Sequence, residues 1–545
     1  MDKVGVERDD ARQSATRDVE RANARRTRRG KGLERARATR AREGVAKASR
    51  RRGRGFRGAR ERNARARRAM ATTTRAIARA NVARCARTSR REARAKRSAT
   101  ARGVRCAAAA TEATEAAAYD DGFVGRAATA TTRPGTLAKT DEVVALRSAR
   151  APTNRAEEYR FTDFSALTTA TLVGPKEGAS ADASATRVED ACATVVLVDG
   201  VLDATQSDFE GAAKAGIKIS VGAADATTGK QSATRGNVFA AINSASAADV
   251  VVVRVPKGVK CASPVHIVTM STGGENGATR VSAPRITIVV EEEGELCVVE
   301  DFAGEGETEY WQNGVCEIAV EKGASMKHAL IQNHGRGATH TRTTLVTQAE
   351  DSKYEVNEIS VGGKTARHDL NIKQLGPRTE TVLGCFNLAG SNQTLDLHSK
   401  LQLDHEEGSS NQVHKCIVSA ASGKGVFDGN VQVNRMAQRT DAQQLSRNLL
   451  LVPKATVNVK PNLQIIADDV KCTHGCTVSD LEEEELFYIR SRGLSAETAR
   501  SLLVSGFGVD VISRLPGKDL RDRVNSIVRT SLERDRVAFE WTGDS

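Results

Sequence analysis

The chain has 545 residues, with 82 Lys+Arg against 68 Asp+Glu, a formal charge of +14 and only 3% aromatic residues. The positive charge is concentrated in residues 1–106, which hold 36 basic and 10 acidic residues, while the remainder holds 46 and 58, so a basic leader precedes a mildly acidic body. The body gives no support for a nucleic-acid partner, and nothing approaches the roughly 18 consecutive apolar residues of a membrane span.

Residues 1–106 are rich in Arg, Ala, Ser and Thr and poor in large apolar side chains, so they cannot bury enough surface to fold alone. They read as an organellar transit peptide. Met70-Ala71-Thr72-Thr73-Thr74 resembles the start of one and Val104-Arg105-Cys106-Ala107 its cleavage region, which makes residues 1–69 an upstream extension. The mature chain is expected to begin near Ala107. The 439 residues that remain are too many for one ordinary core. They carry eight cysteines, scattered rather than framework-spaced, which points to reduced thiols.

Residues 107–190 are expected to form an N-terminal helical domain, polar to about Ala170, followed by a Gly/Ser/Ala/Asp linker. Within it, Pro152–Asp163 is a compact charged and aromatic cluster. From about Cys192 the pattern changes. Short β-branched runs such as Ala193–Val198, Asp249–Arg254, Arg285–Val290, Leu345–Gln348 and Ile417–Ser419 recur between Gly, Asn and Asp turns, too closely for intervening helices. A large sandwich and a solenoid both fit such a pattern. Few prolines and few aromatics favour the solenoid, so residues 191–466 are expected to be a right-handed parallel β-helix without helical insertions. Coils of roughly 20–27 residues would give about 10–13 turns and a length of ~50–60 Å. Helix signals return in residues 467–545. Ser479-Asp480-Leu481-Glu482 fits a capping box and Gly493 a helix end. Ser495 suits the cap of a second helix carrying Ala499, Leu502 and Leu503, and a third aligns Leu520, Val524, Ile527 and Leu532 on one face. That stripe is expected to cap the last coil, to receive a partner, or to do both. The fold class is therefore mainly β, a solenoid flanked by helical domains.

The densest chemistry lies in Ala467-Asp-Asp-Val-Lys-Cys-Thr-His-Gly-Cys-Thr-Val478, where Cys472, His474 and Cys476 fall within five residues. Thiolate and imidazole suit zinc or iron–sulfur chemistry. Three ligands so close together, with no second cluster, do not match the spacing of a structural zinc site. Cys472 is expected to gain thiolate character from Lys471 and from a helix beginning near Ser479. Asp468 and Asp469 are adjacent and point to opposite faces of a strand, which argues against a catalytic acid pair. No GxxxxGK[ST] loop is present, so ATP hydrolysis would fall to a partner. His328, His334 and His340 recur every six residues and are expected to be solvent-exposed on the solenoid wall, as are His398, His405 and His414.

From about Pro152 to Val528 the chain resembles the SufB/SufD family of iron–sulfur cluster assembly scaffolds, on its SufD side and of plastid type. The resemblance is carried by Pro152–Asp163, Arg285–Phe302, Trp311–Gln332, Ala437–Gln444 with Arg447–Leu451, and above all Ala467–Leu494. It implies a non-enzymatic scaffold in the chloroplast (plastid stroma), paired as a heterodimer with a SufB-like subunit, and a homodimer is the alternative assembly. It also implies docking of a SufC-like ABC ATPase by the C-terminal helices, with Leu486, Leu502 and Leu503 as contact residues. His474, with Cys472, would hold iron or a transient iron–sulfur cluster shared with the SufB-like subunit. The family's SufB branch carries its essential cysteine where this chain has Ala455 and lacks the KCTHG element, and Cys476 stands where the family pattern calls for alanine, so the resemblance assigns it no role. A β-helical carbohydrate-active lyase or hydrolase is the competing class, and it needs a cleft lined by acids and aromatic platforms.

Overall fold

A computed structural model of the chain describes residues 121–130, 146–481 and 483–537, all within one compact unit, Thr114–Ser545. The leader, Met70 and the Ala107 boundary lie outside the described residues.

From Val250 onward the backbone is a parallel β-solenoid whose coils each contribute one strand to each of two sheets. The register sets the coil length. Glu295 pairs with Ser325, which pairs with Lys353, then Glu380, then Ser409, then Asp441, a step of 27 to 32 residues. About seven turns result, and at ~4.8 Å per turn they span roughly 35 Å. The expectation of 10–13 shorter coils is therefore corrected. The β-branched runs that signalled strands are only parts of longer ones: Leu345–Gln348 closes Thr339–Gln348, and Ile417 and Val418 close Ser409–Val418.

Each coil turns from one sheet to the other through a left-handed residue at the same place: Glu293, Gly323, Asp351, Arg378, Glu407 and Arg439, with φ between +55° and +65°. Only one of the six is glycine. A non-glycine residue there costs roughly 1–2 kcal/mol, and stacking offsets it. The amides of Gly323, Arg378 and Glu407 each donate to a carbonyl in the next turn, at 2.9–3.1 Å. Ion pairs run between the turns, among them Lys322–Glu350 at 2.8 Å and Arg439–Glu407 at 2.7 Å.

Inward-facing Val, Ile and Leu side chains fill the space between the sheets with one long core that includes Val253, Ile288, Ile318, Val356, Leu383 and Leu401. Residues 191–249 depart from the helix-free expectation. They contain Glu210–Lys214, Ser232–Arg235 and α2 (Val238–Ser246; α1 is Gly122–Thr129), and the β-only run starts at Val250. These insertions have a purpose in packing. Ala212 and Ile217, with Phe209 and Ile219 beside them, close the first end of the interior core. On the outer face of one sheet, α1 and α2 bury Phe123, Phe239 and Trp311 together with Tyr159 and Phe164. The Pro152–Asp163 cluster docks there too: the Arg367 guanidinium lies 4.6 Å from the Tyr159 ring centre, and the Thr162 hydroxyl donates to buried Asp396.

The C-terminal helices are α3 (Glu483–Ser491), α4 (Ala496–Phe507), α5 (Val509–Ile512) and α6 (Lys518–Val537). Ser495 caps α4, its hydroxyl accepting from the Thr498 amide at 3.0 Å. Leu520, Val524 and Val528 of α6, with Val511 and Ile512 of α5, lie on the outer face of the second sheet over Ile331, Ile359, Phe386 and Leu388. Gly508 sits so close to the Phe386 ring that a Cβ there would meet it at 3.0 Å. The apolar stripe thus clads the solenoid wall and does not cap the last coil. Arg523 locks α6 in place, donating to both Asp301 oxygens at 2.9 and 2.8 Å.

The boundary expected at 466 also moves. The last strand runs Val470–Ser479, and the helix that follows is described over Glu483–Ser491, because the motif alternates with a period of two before the acidic run takes over.

Candidate functional site

Whereas the first end of the core is closed, strands Thr456–Ile465 and Val470–Ser479 end their respective sheets with no neighbour beyond them among the described residues. Burial falls away accordingly: Ile465, Ile466 and Val478 are 45%, 51% and 51% exposed. Both terminal strands leave a row of backbone donors and acceptors unpaired, a template for another strand.

The motif lies on this edge. Cys472, His474 and Cys476 are in register with Ala442, Gln444 and Ser446. Ala442 belongs to the interior core, and alternate residues of a strand share a face. All three side chains therefore face the mouth of the interior, opposite Val459 and Leu463. Cys472 packs half-buried against the core, while His474 and Cys476 are exposed. The floor beneath them is polar. Gln444 Nε2 donates to Gln412 Oε1 at 3.1 Å. His414 shares a 3.0 Å hydrogen bond with Ser446 and stacks on Phe427 at 4.3 Å. Gln444 Oε1 and His414 Nε2 have no hydrogen-bond partner. Gln444 falls within a stretch that carries the family resemblance, but nothing in the sequence showed His414 to be interior.

This placement corrects the activation expected for Cys472. Burial pushes its thiol up, against a hydrogen bond from the Ala442 backbone. The helix start is a further seven strand residues and a turn away, more than ~20 Å along the extended chain. Successive motif side chains stand ~6.7 Å apart on the strand, and no three His, Cys, Asp or Glu groups among the described residues converge to hold a metal ion. The segment offers an edge of soft ligands, not a closed site.

Of the three leucines expected to contact an ATPase, Leu502 is 58% exposed, whereas Leu486 and Leu503 are half-buried. Sequence reading missed the more prominent neighbours. Phe487 is 74% and Tyr488 59% exposed, and Leu494, in the turn between α3 and α4, is exposed as well. The paired helices α3 and α4 therefore present an apolar, aromatic surface away from the solenoid wall.

The histidines overturn their expected exposure. His328, His334 and His340 are all buried. Glu300 receives Arg342 NH2 on both oxygens, at 2.5 and 2.7 Å, and His328 Nε2 at 2.8 Å. Tyr354 meets His328 Nδ1, while Tyr310, His334 and His340 form a second chain at 2.9 and 3.1 Å. Inward-facing positions of a coil are as unavoidable for polar residues as for apolar ones, and these are satisfied by one another. His414 is buried, His398 half-buried, and only His405 is exposed as expected.

A cleft of about 530 Å³ opens on the outer face of the first sheet, lined by Glu158, Asp369 and Asp428 among others, with Tyr159 as its one aromatic residue. Asp369 is held by Arg367 and Asn237, and Asp428 by Lys460 at 3.3 Å. No helix among the described residues is long and apolar enough to cross a membrane.

The molecule is a two-sheet parallel β-solenoid with a soft-ligand edge at its open end and an exposed helical hairpin beyond its last strand. The family model for the SUF system FeS cluster assembly SufBD core domain matches residues 270–507. The chain is 49% identical over 300 residues to chloroplastic protein ABCI7 of Arabidopsis thaliana, covering 54% of this chain and 63% of that one, so it spans somewhat less than two thirds of that relative. It is 33% identical over 402 residues to an iron–sulfur cluster assembly SufBD family protein of Synechocystis sp., covering 70% and 88% of the two chains. It is 27% identical over 379 residues to the iron–sulfur cluster assembly protein SufD of Escherichia coli, covering 68% and 87%. The chain belongs to the SufB/SufD family of iron–sulfur cluster assembly proteins, plastid type. That membership removes the carbohydrate-active alternative.

Proposed function

We propose that the protein is the SufD-like subunit of a SufB–SufC–SufD-type complex in the plastid stroma. It offers its open end to a SufB-like subunit and its α3–α4 surface to a SufC-like ATPase, which hydrolyses the ATP. The observation that carries the reading is the position of His474, exposed on the last strand of a sheet whose edge is unpaired. A second solenoid laid end to end would continue both sheets and bring its own ligands to the mouth. His474, with Cys472, would then supply part of a site for iron or a nascent iron–sulfur cluster as cargo. Neutral imidazole can ligate iron, and a lone strand edge leaves the remaining positions for the partner. A second copy of this chain is the competing occupant, and sedimentation of the isolated chain separates a homodimer from a monomer awaiting its partner.

His474→Ala is expected to leave the thermal midpoint and partner binding unchanged, since an exposed imidazole contributes little packing. Iron and sulfide retained after anaerobic reconstitution of the assembled complex should fall several-fold. Cys476→Ala should change both much less. Normal cluster content in His474→Ala removes the ligand role.

The ATPase surface calls for point substitutions. Truncation at Ile466 would remove the final strand and strip α5 and α6 from the second sheet, so the β-helix would not survive it intact. Phe487→Ser with Leu502→Ser should weaken ATPase binding by about 2 kcal/mol, roughly 30-fold, at unchanged stability. Titration calorimetry with the purified ATPase reads this, and unaltered affinity moves the docking surface elsewhere.

A further inference from the structure

We propose that Cys192 and Cys261, at the closed end of the solenoid, form a reversible disulfide by exchange with a low-molecular-weight disulfide. The backbone brings them together. Cys192 precedes strand Ala193–Val198, and its amide donates to the Pro264 carbonyl at 2.9 Å. Cys261 lies just ahead of Val265–Ser271, the strand that pairs with it, and its amide donates to the Glu295 carbonyl at 3.1 Å. Both cysteines are thus fixed by strand ladders, and their sulfurs stand 3.7 Å apart. Closing that gap to a ~2.05 Å bond asks for side-chain rotation with little backbone movement.

Solvent access singles out the same pair. Cys192 and Cys261 are half-buried, whereas Cys297, Cys316, Cys385 and Cys416 are buried. Cys472 and Cys476 are also accessible, but four residues along one strand separates them by ~13 Å.

The order of the reaction follows from the surroundings. Burial, with the Cys261 thiol beside it, pushes the Cys192 thiol up to about 12, so Cys192 stays protonated and Cys261 attacks first. The Cys261 thiolate bonds to one sulfur of the incoming disulfide, whose other sulfur leaves as a thiolate and takes up the Cys261 proton. With the neighbouring thiol consumed, Cys192 loses its proton and attacks Cys261 Sγ in the mixed disulfide. The second small thiol departs with that proton. Two electrons and two protons pass from the pair to the oxidant, which ends as two thiols.

The test uses the folded full chain with excess glutathione disulfide at about pH 8, where thiolate is available. Free thiols are then alkylated and the peptides analysed by mass spectrometry. The expected result is a Cys192–Cys261 linked peptide, reversed by dithiothreitol, with Cys297 still free. Cys192→Ser should stop at a glutathione adduct on Cys261, and Cys261→Ser should give neither species. Complete alkylation of both residues after oxidation, linkage of either to Cys297, or linkage only in denaturant overturns the proposal.

Discussion

Glu317→Ala should destabilise the protein by about 3–5 kcal/mol, the loss typical of a buried ion pair deprived of one partner. At this chain size that is a fall in thermal midpoint of roughly 3–6 °C. Glu317 is 1% exposed and Arg285 0%, and Arg285 NH2 donates to Glu317 Oε2 at 2.9 Å. The carboxylate does more than neutralise the guanidinium. It also accepts the amides of Gly229, Gln231 and Ser232 at 2.6, 2.8 and 2.9 Å, satisfying the start of a helical turn that has no partner of its own. Alanine would leave the buried amides of Gly229 and Ser232 and the half-buried amide of Gln231 unsatisfied, and a buried cation facing only Asn243, Ser244 and Ser232. The pair in itself is not a source of stability, since desolvation offsets most of its attraction. Arg285→Met with Glu317→Leu should therefore cost less than the two single changes together. Thermal melts of the four proteins in the cycle measure this, and a single-variant loss below about 1 kcal/mol would show that the site relaxes around the missing group.

The stretches that carry the family resemblance are largely the ones that supply such buried partners. Arg285–Phe302 contains Arg285, Glu300 and Asp301, while Trp311–Gln332 contains Glu317 and His328. These residues look like ordinary surface polarity when read one at a time. Their partners lie one coil away, at sequence separations near 30, or on α6, at 222. No local pattern reveals that, which is why the histidines were expected outside.

The solenoid itself was legible, but its period was not. Turn prediction depends on glycine or asparagine at left-handed positions, and here Glu293, Asp351, Arg378, Glu407 and Arg439 occupy them. Stacked turns tolerate the strain because neighbouring coils pair with them, a property of the assembled fold. The strands were undercounted in length for a related reason. Thr339-His-Thr-Arg342, the first part of Thr339–Gln348, faces polar networks and lacks the apolar side chains of its end. At the site the opposite holds. The ligand chemistry of Cys472, His474 and Cys476 was plain from residue types, and their even spacing already matched one face of a strand. The acidic helix signal that follows drew the boundary too early, and the open end became visible only once both sheets were seen to finish there.

The thermal midpoint is expected to fall steeply as pH drops from 7.5 to 5, ahead of any loss of buried carboxylate pairs. Burial holds His334 and His414 down at about 3 and drives His340 well below its ordinary value. His328 is lowered by burial as well, although Glu300 pulls the other way. In the unfolded chain these histidines titrate near ~6.5. Below that pH the unfolded state takes up protons that the folded state refuses, so stability declines with falling pH, by about 1.4 kcal/mol per unit for each such histidine. Between pH 7.5 and 5, His334 and His414 alone account for roughly 4 kcal/mol. His398 works in the opposite sense. Burial would lower it, but Asp396 raises it above its usual value, so its contribution is complete at low pH and is lost as pH rises through its folded pKa. One group of that kind does not cancel several of the other. Arg342 and His328 overcome burial to hold the Glu300 carboxyl below its usual range, and Arg367 and His398 do the same for Asp396. Those contributions disappear only under more acidic conditions, below the ~4 of an ordinary carboxyl group. Calorimetric melts across the range should show the slope, and His414→Gln, which removes one titrating ring, should reduce it by about 1.4 kcal/mol per pH unit. A midpoint that stays flat from pH 7.5 to 5 would mean that these rings meet water, or one another's protons, before the fold gives way.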